Sequence, residues 1–367
     1  MTDIYQKLAH HLDHLPAGFP TTETGVELRI LKRLFSKEEA AIALALTMLS
    51  EDPAAIAEKL DRDVHEMAPL LEKMSKKGLI FRSTKGGQTK YSAAQFVVGI
   101  WEYHVNDLSE ELVRDMNEYI PHLMKKEWVK HPTKQLRVVP VKKSVSAEMK
   151  VMPYEQAEEI INGQSKIVVA PCICRKEHEL IGEGCGKPME ACLIFGAGAY
   201  YYEENKLGRT ITKDEARDIL NLGLEAGLVL QPGNSQKPSN ICLCCGCCCQ
   251  ILKNLKTLDQ PAKVVSTNWV AVVNEDLCTA CEVCTDRCQM DAVTYDDGVA
   301  VIDLSACIGC GLCVTTCPDE AIRLVEKSET KTPPTTEKSL YMKILLERYG
   351  PLGAARIAGK KALGMKI

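Results

Sequence analysis

Two stretches of this chain repeat one another cysteine for cysteine. Cys278-x2-Cys281-x2-Cys284-x3-Cys288 is followed by Cys307-x2-Cys310-x2-Cys313-x3-Cys317, at a constant offset of 29 residues (278 to 307). The flanking text repeats as well, VNEDLCTACEVCTDRCQMDAVTY against VIDLSACIGCGLCVTTCPDEAIRL. The 367 residues hold 18 cysteines, all between Cys172 and Cys317. Disulfides and metal sites are the two ordinary uses for so many. The N-terminal text, MTDIYQKLAHHLDHLPAG, has neither the basic start nor the apolar core of an export signal. No apolar run approaches the roughly 18–20 residues of a membrane span. Cysteines without an export signal point to metal ligands, so a cytoplasmic, metal-holding chain is expected.

The tandem spacing resembles that of bacterial two-cluster ferredoxins, over residues 269–327. In such a module three thiolates at x2 spacing wrap a short loop around three corners of a 4Fe-4S cube. The fourth cysteine, expected to start the following helix, crosses to the other cluster. The resemblance therefore implies Cys278, Cys281, Cys284 and Cys317 for one cluster, and Cys307, Cys310, Cys313 and Cys288 for the other. Paired CxxC motifs also bind zinc, but the tandem symmetry favours iron–sulfur. The second repeat ends Cys317–Pro318 and the first ends Cys288–Gln289. Proline there is not a ligand, so a changed local backbone and a tuned potential are expected, with the cluster kept. Small residues beside the ligands (Thr279, Ala280, Ile308, Gly309, Gly311) let backbone N–H groups approach the sulfurs. Val272, Val273, Val293, Tyr295, Val301, Ile322 and Leu324 are expected in strands closing over the clusters.

Ten more cysteines lie in the middle of the chain. An apolar run at 167–169 leads to Cys172-Ile-Cys174-Arg175, expected on a loop. Cys185 follows, and Cys192 is expected at the head of a helix. Thr212 and Glu215 form a capping box for a further helix ending at Gly227. Cys242, Cys244, Cys245, Cys247, Cys248 and Cys249 then fall within eight residues. In parts this region resembles a family of anaerobe iron–sulfur proteins with a CxCR segment, a CxCCxCC-type segment and a C-terminal two-cluster ferredoxin. The resemblance implies iron–sulfur binding and nothing finer. A cube needs four thiolates, so ten cysteines allow one or two further clusters. Cys172, Cys174, Cys185 and Cys192 form one candidate set; four of the second group, with Cys242, Cys244, Cys245 and Cys248 the candidates, form another. A division mixing the groups is equally open. Adjacent cysteines project differently, so 247–249 are not expected to grip one cube together. Zinc and redox-active thiols are the alternatives. Arg175 is either a donor to a cluster sulfur or a solvated surface charge. There is no Walker loop and no dinucleotide fingerprint, Gly196-Ala-Gly198 included, so no nucleotide or flavin is expected.

The cysteine-free N-terminal part reads as helices followed by a hairpin. Val26, Ile30, Leu31 and Leu34 have helical spacing, and Ser36 with Glu39 caps the run EEAAIALALTML. Asp52 and Pro53 open another helix, and Asp63 opens one that Gly78 closes. Two short strands flank Lys85, Gly86 and Gly87. That order resembles a winged helix-turn-helix. DNA is disfavoured as its ligand, because residues 1–120 carry 14 Lys+Arg against 19 Asp+Glu and the fourth helix opens Asp63-Val-His-Glu66. Protein docking is the favoured use. His10, His11 and His14 are expected as surface polar residues rather than a metal site.

Residues 329–367 carry 8 Lys+Arg and 3 Asp+Glu on a chain of net charge −4. The segment LYMKILLERYG is amphipathic, fit for its own acidic domain, a partner or a membrane surface. The expected architecture is α+β and multidomain: a winged-helix-like domain (1–125), a linker (126–150), a cysteine-rich α/β middle (151–262), a two-cluster ferredoxin-like module (263–328), and a linker with a helical basic tail (329–367). The expected function is one-electron transfer to or from a partner oxidoreductase, as a subunit or adaptor of a larger complex in an anaerobe. No catalytic residue is assigned. Two rivals stand beside it: a redox-sensing winged-helix transcription factor, and a reductase with an open iron position in the middle domain.

Overall fold

Side-chain caps start most of the N-terminal helices. The computed structural model describes residues 3–146 and 149–362, and these sort into two units. The first holds residues up to 131 together with 200–207 and the segment from 341; the second holds 132–199 and 208–340. In the first unit, α1 (Ile4–Asp13) is capped by Asp3, α3 (Lys37–Ala43) by Ser36, α4 (Pro53–Lys59) by Asp52 and α5 (Val64–Lys76) by Asp63. Between the first two, α2 (Val26–Leu34) turns Val26, Ile30, Leu31 and Leu34 inward. The apolar run after Ser36 stays helical only to Ala43. Beyond it the chain is drawn to the hairpin, where Ala93 N–H donates to the Thr47 carbonyl at 2.7 Å and Glu51 bridges Tyr91. The hairpin is β1 (Ile80–Lys85) against β2 (Gln88–Ala93), turning at Gly86 and Gly87, both with positive φ.

A single turn, α6 (Trp101–Tyr103), and a long helix, α7 (Glu110–Leu123), complete this part. Tyr119 of α7 meets Phe19 and Phe96 with ring centroids 4.9 and 5.9 Å away. Asp115 takes Arg29 at 3.0 Å and Arg33 at 2.9 Å. Tyr201 donates its hydroxyl to the carbonyls of Ser75 and Ile80. In the tail, Arg348 donates to the Leu15 carbonyl at 2.8 Å and Tyr349 to that of Asp13 at 3.2 Å. The basic tail up to Tyr349 therefore packs against its own chain. His10 and His14 lie near the surface, but His11 turns inward among the core residues of α1, against the surface placement expected for it.

The second unit is built on an antiparallel sheet in the order β5-β3-β4-β7-β6. Its strands are β3 (Ile167–Pro171), β4 (Glu190–Phe195), β5 (Arg209–Ile211), β6 (Val229–Pro232) and β7 (Asn240–Cys244). Helices accompany it: α8 (Ala157–Asn162), α9 (Ile173–Leu180), the first residues of α10 (Gly196–Glu204), which from residue 200 belongs to the first unit, α11 (Lys213–Glu225) and α12 (Gln250–Leu255). Thr212 and Glu215 make the capping box of α11. The Lys/Pro-rich stretch expected to be a linker is tied down over much of its length. Val138, Val139 and Val141 donate their N–H groups to Ser266, Leu230 and Cys310, and the buried Arg137 donates to the carbonyls of Gly233, Ser235 and Tyr154. Buried valines and a buried cation hydrogen-bonded to three carbonyls anchor that segment.

The cysteine repeat folds as a repeat. β8 (Trp269–Val273) pairs with β11 (Ile322–Glu326), and β9 (Val293–Asp296) with β10 (Val299–Ile302). Between them lie α13 (Val283–Arg287) and a single 3-10 turn at Val314–Thr316. The last helix, α14 (Glu337–Ala362), breaks direction at Gly350, before Pro351. No described helix is long and apolar enough to cross a membrane.

Candidate metal centre

Each half of the repeat lends one cysteine to the other. Cys278, Cys281, Cys284 and Cys317 line a cavity of about 280 Å³, counting its open mouth. Cys288, Cys307, Cys310 and Cys313 line a second of about 380 Å³. Three cysteines of each set come from one repeat and the fourth from the other. The fourth cysteines close short helices rather than open new ones: Cys288 ends α13 and Cys317 ends the 3-10 turn. Neither starts the following helix, because the backbone turns extended at both (ψ 116° at Cys288 and 111° at Cys317).

Two of the backbone donors to the sulfurs follow the same exchange. Ala271 N–H, on β8 in the first half, donates to Cys307 Sγ at 3.5 Å. Its counterpart Ala300, on β10 in the second half, donates to Cys278 Sγ at 3.4 Å. Ala292 and Ala321 donate to Cys288 and Cys317 at 3.3 and 3.2 Å. Such bonds offset thiolate charge and are a lever on cluster potential. Gly309 has φ +65°, and a Cβ there would lie 2.1 Å from the Trp269 carbonyl oxygen. Ala280, its counterpart, holds φ +55° in the first half, so both loops keep one backbone shape. Tyr295 places its hydroxyl 3.3 Å from Cys284 Sγ. Burial pushes the Cys310 thiol up to about 12 and raises Cys313 as well. Thiols so desolvated become thiolates on binding a cation. The two cysteine-lined cavities, with N–H donors already aimed at sulfur, fit 4Fe-4S clusters.

The middle cysteines are sorted by the sheet rather than by sequence. Cys172 sits at the N-cap of α9 and Cys174 in its first turn, so this segment is a helix start and not a free loop. Cys192 lies within β4, directly opposite Cys242 on β7, and not at a helix head. Its run EACLIF is apolar enough to be a buried strand, and the helix waits until Gly196. Cys244 follows two residues after Cys242 and shares its face. Cys249 caps α12. The thiols of Cys172, Cys174, Cys249, Cys244, Cys242 and Cys192 act on one another in that order. Donation from Cys174 and Cys244 holds the Cys249 thiol well below its ordinary range, and donation from Cys192 and Cys244 does the same for Cys242. Asn240 Nδ2 also reaches Cys242 Sγ at 3.4 Å.

The remaining four form a separate group. Cys185, Cys245, Cys247 and Cys248 have all their sulfurs within 4.8 Å of one another. Cys185 thus leaves the first candidate set, Cys242 and Cys244 leave the second, and Cys185 and Cys247 join the remaining Cys245 and Cys248. Arg175 stands beside them, 1% exposed, and is not a surface charge. Its guanidinium donates to the carbonyls of Pro188 and Leu243 and to the Cys245 sulfur. Burial acts to raise the Cys245 thiol, but the Arg175 charge and the Cys248 N–H outweigh it and hold Cys245 down at about 7.

Gln289, the residue in place of the usual proline, touches this second group. Its Oε1 accepts from Gly246 N–H at 2.8 Å and from Lys187 Nζ at 3.4 Å. The sequence reading assigned Gln289 no partner, and it left Cys247 and Cys249 out of its candidates. The departure at Gln289 was the visible signal; for the two cysteines only the three-dimensional sorting supplies one.

Among protein families, residues 300–323 match the one described as a 4Fe-4S binding domain, a stretch holding Cys307, Cys310, Cys313 and Cys317. In comparisons with curated proteins and with solved structures, nothing matches. The chain carries a 4Fe-4S binding domain, which supports iron–sulfur binding with at least one 4Fe-4S cluster.

Proposed function

We propose that this protein is a multi-cluster electron carrier that passes single electrons to or from a partner oxidoreductase. The observation that carries the reading is the pair of cavities in which each repeat completes the other's set of four cysteines. Cys278, Cys281, Cys284 and Cys317 hold one 4Fe-4S cluster, and Cys307, Cys310, Cys313 and Cys288 hold the other. A bound cluster supplies one-electron storage. The chain supplies the thiolates, the alanine N–H groups that moderate their charge, and the strand residues Ile322 and Val293 that shield them from water.

The six thiols of Cys172, Cys174, Cys192, Cys242, Cys244 and Cys249 exceed the four ligands that a further iron–sulfur cluster in the same unit needs, and that cluster takes its ligands from among them. That places one-electron centres in both the sheet and the repeat. A chain without a hydride-handling cofactor exchanges electrons one at a time, which suits a subunit or adaptor of a larger cytoplasmic complex. Iron and acid-labile sulfide on anaerobically purified protein, with EPR after reduction, test the reading. About 12 sulfides per chain are expected from three cubes; about 8 would confine the redox centres to the repeat.

A further inference from the structure

Ten thiols lie outside the two repeat cavities, and four of them are packed unlike a set that grips a cube. The sulfurs of Cys185, Cys245, Cys247 and Cys248 all lie within 4.8 Å of one another, and those of Cys247 and Cys248 are 3.8 Å apart. Thiolates about 2.3 Å from one tetrahedral ion stand about 3.8 Å from each other. In a cube each thiolate binds a different iron, with the whole cube between them, so the four sulfurs would have to spread much further. The repeat cysteines, by contrast, surround cavities of about 280 and 380 Å³.

We propose that Cys185, Cys245, Cys247 and Cys248 together hold a single tetrahedral metal ion, zinc or iron, as a closed four-thiolate site. Three of the ligands come from the turn that follows β7, and Cys185 comes from the loop between α9 and β4. One ion therefore clasps two segments that share no strand pairing at these positions. Four thiolates around a divalent ion leave a net charge of about −2, and the buried Arg175, donating to Cys245, offsets part of it. Cys245 and Cys248 are buried and Cys247 is exposed, so the ion sits just beneath the surface. With all four positions taken by protein, the ion offers no place for a substrate. Its work is to fix the turn whose Gly246 N–H meets Gln289 beside Cys288. This assignment stands whether or not the six other middle thiols carry a cluster.

The test uses the full chain, purified anaerobically with its native metals. Zinc, iron and acid-labile sulfide are counted per chain, and zinc-edge X-ray absorption is recorded. Cubes bring iron and sulfide in equal number, so total metal is expected to exceed sulfide by about one ion per chain. If the ion is zinc, its edge shows four sulfurs at about 2.3 Å; if it is iron, the excess is iron. Cys185→Ser is expected to remove that one ion and leave sulfide unchanged. A matching fall of iron and sulfide in Cys185→Ser would mean a cube and would overturn the proposal. So would metal equal to sulfide in the native chain, with Cys247 open to alkylation. Should Cys185→Ser not fold, the native stoichiometry and absorption edge decide alone. A loss of sulfide from the repeat clusters is read separately by EPR, so failure of the carrier reading is not mistaken for failure of this one.

Discussion

Gln289 Oε1 accepts a hydrogen bond from the Gly246 N–H at 2.8 Å, joining the residue after Cys288 to the turn between Cys245 and Cys247. The approach is so close that a Cβ on Gly246 would lie 2.1 Å from the Gln289 carbonyl oxygen. Proline at 289 could fill the usual backbone role but not this bond. Gln289→Ala is expected to lower stability by about 1 kcal/mol, the ordinary value of one lost hydrogen bond. Gly246→Ala is expected to lower it by more, about 1–3 kcal/mol, because backbone must move on both sides. Anaerobic urea unfolding of both variants ranks them. Equal losses would show that the close approach is not rigid.

The exchange of cysteines between halves predicts which variants behave alike. Cys317→Ser should silence the same cluster as Cys281→Ser, though the first lies in the other repeat. Cys288→Ser should likewise pair with Cys310→Ser. Each is expected to lose about four irons and one of the two reduced EPR signals. Grouping by repeat instead, Cys317→Ser with Cys310→Ser, would refute the ligand sets proposed for these cavities.

How much of this was legible in sequence differs sharply between the two cysteine-bearing regions. The repeat was legible because local spacing places three cysteines on one loop, and the 29-residue offset repeats the loop. Caps were legible for the same local reason: Ser36 with Glu39 and Thr212 with Glu215 each lie within one turn. The sorting of the middle cysteines depends on Cys192 standing opposite Cys242, residues 50 apart that only sheet register brings together. A strand mistaken for a helix at Cys192 hides that register. The segment around Arg137 was hidden similarly, since its hydrogen bonds go to residues near 230, 266 and 310.

His104 gives the first unit a pH dependence with a definite sign. Burial lowers its pKa, outweighing the Ile100 carbonyl 2.7 Å from Nδ1 and the nearby Asp107, which pull the other way. The unfolded chain therefore takes up a proton at this histidine more readily than the folded one. Stability from this group is complete above about pH 6.5 and is lost as pH falls toward the depressed folded value. His104→Phe removes the titration. Between about pH 7.5 and 5.5, wild type is expected to lose more stability than the variant, measured by urea midpoints. Parallel losses would mean that the ring protonates freely in the fold.

Arg348 decides whether the basic tail stays on its own chain. It is 6% exposed at the side chain, pairs with Glu127 at 3.3 Å and Asp13 at 3.4 Å, and donates to the Leu15 carbonyl at 2.8 Å. Burial raises the Glu127 carboxyl, and Arg348 is the largest influence lowering it. Removing the guanidinium leaves that carboxyl buried with less opposing charge and the Leu15 carbonyl without this donor. Arg348→Ala is expected to weaken the attachment by about 1–3 kcal/mol. Tryptic cleavage at Lys343, inside the packed segment, should then rise severalfold, with the iron content unchanged. Cleavage at the wild-type rate would mean that the apolar residues Leu340, Ile344 and Leu345, all buried, hold the helix without the ion pairs.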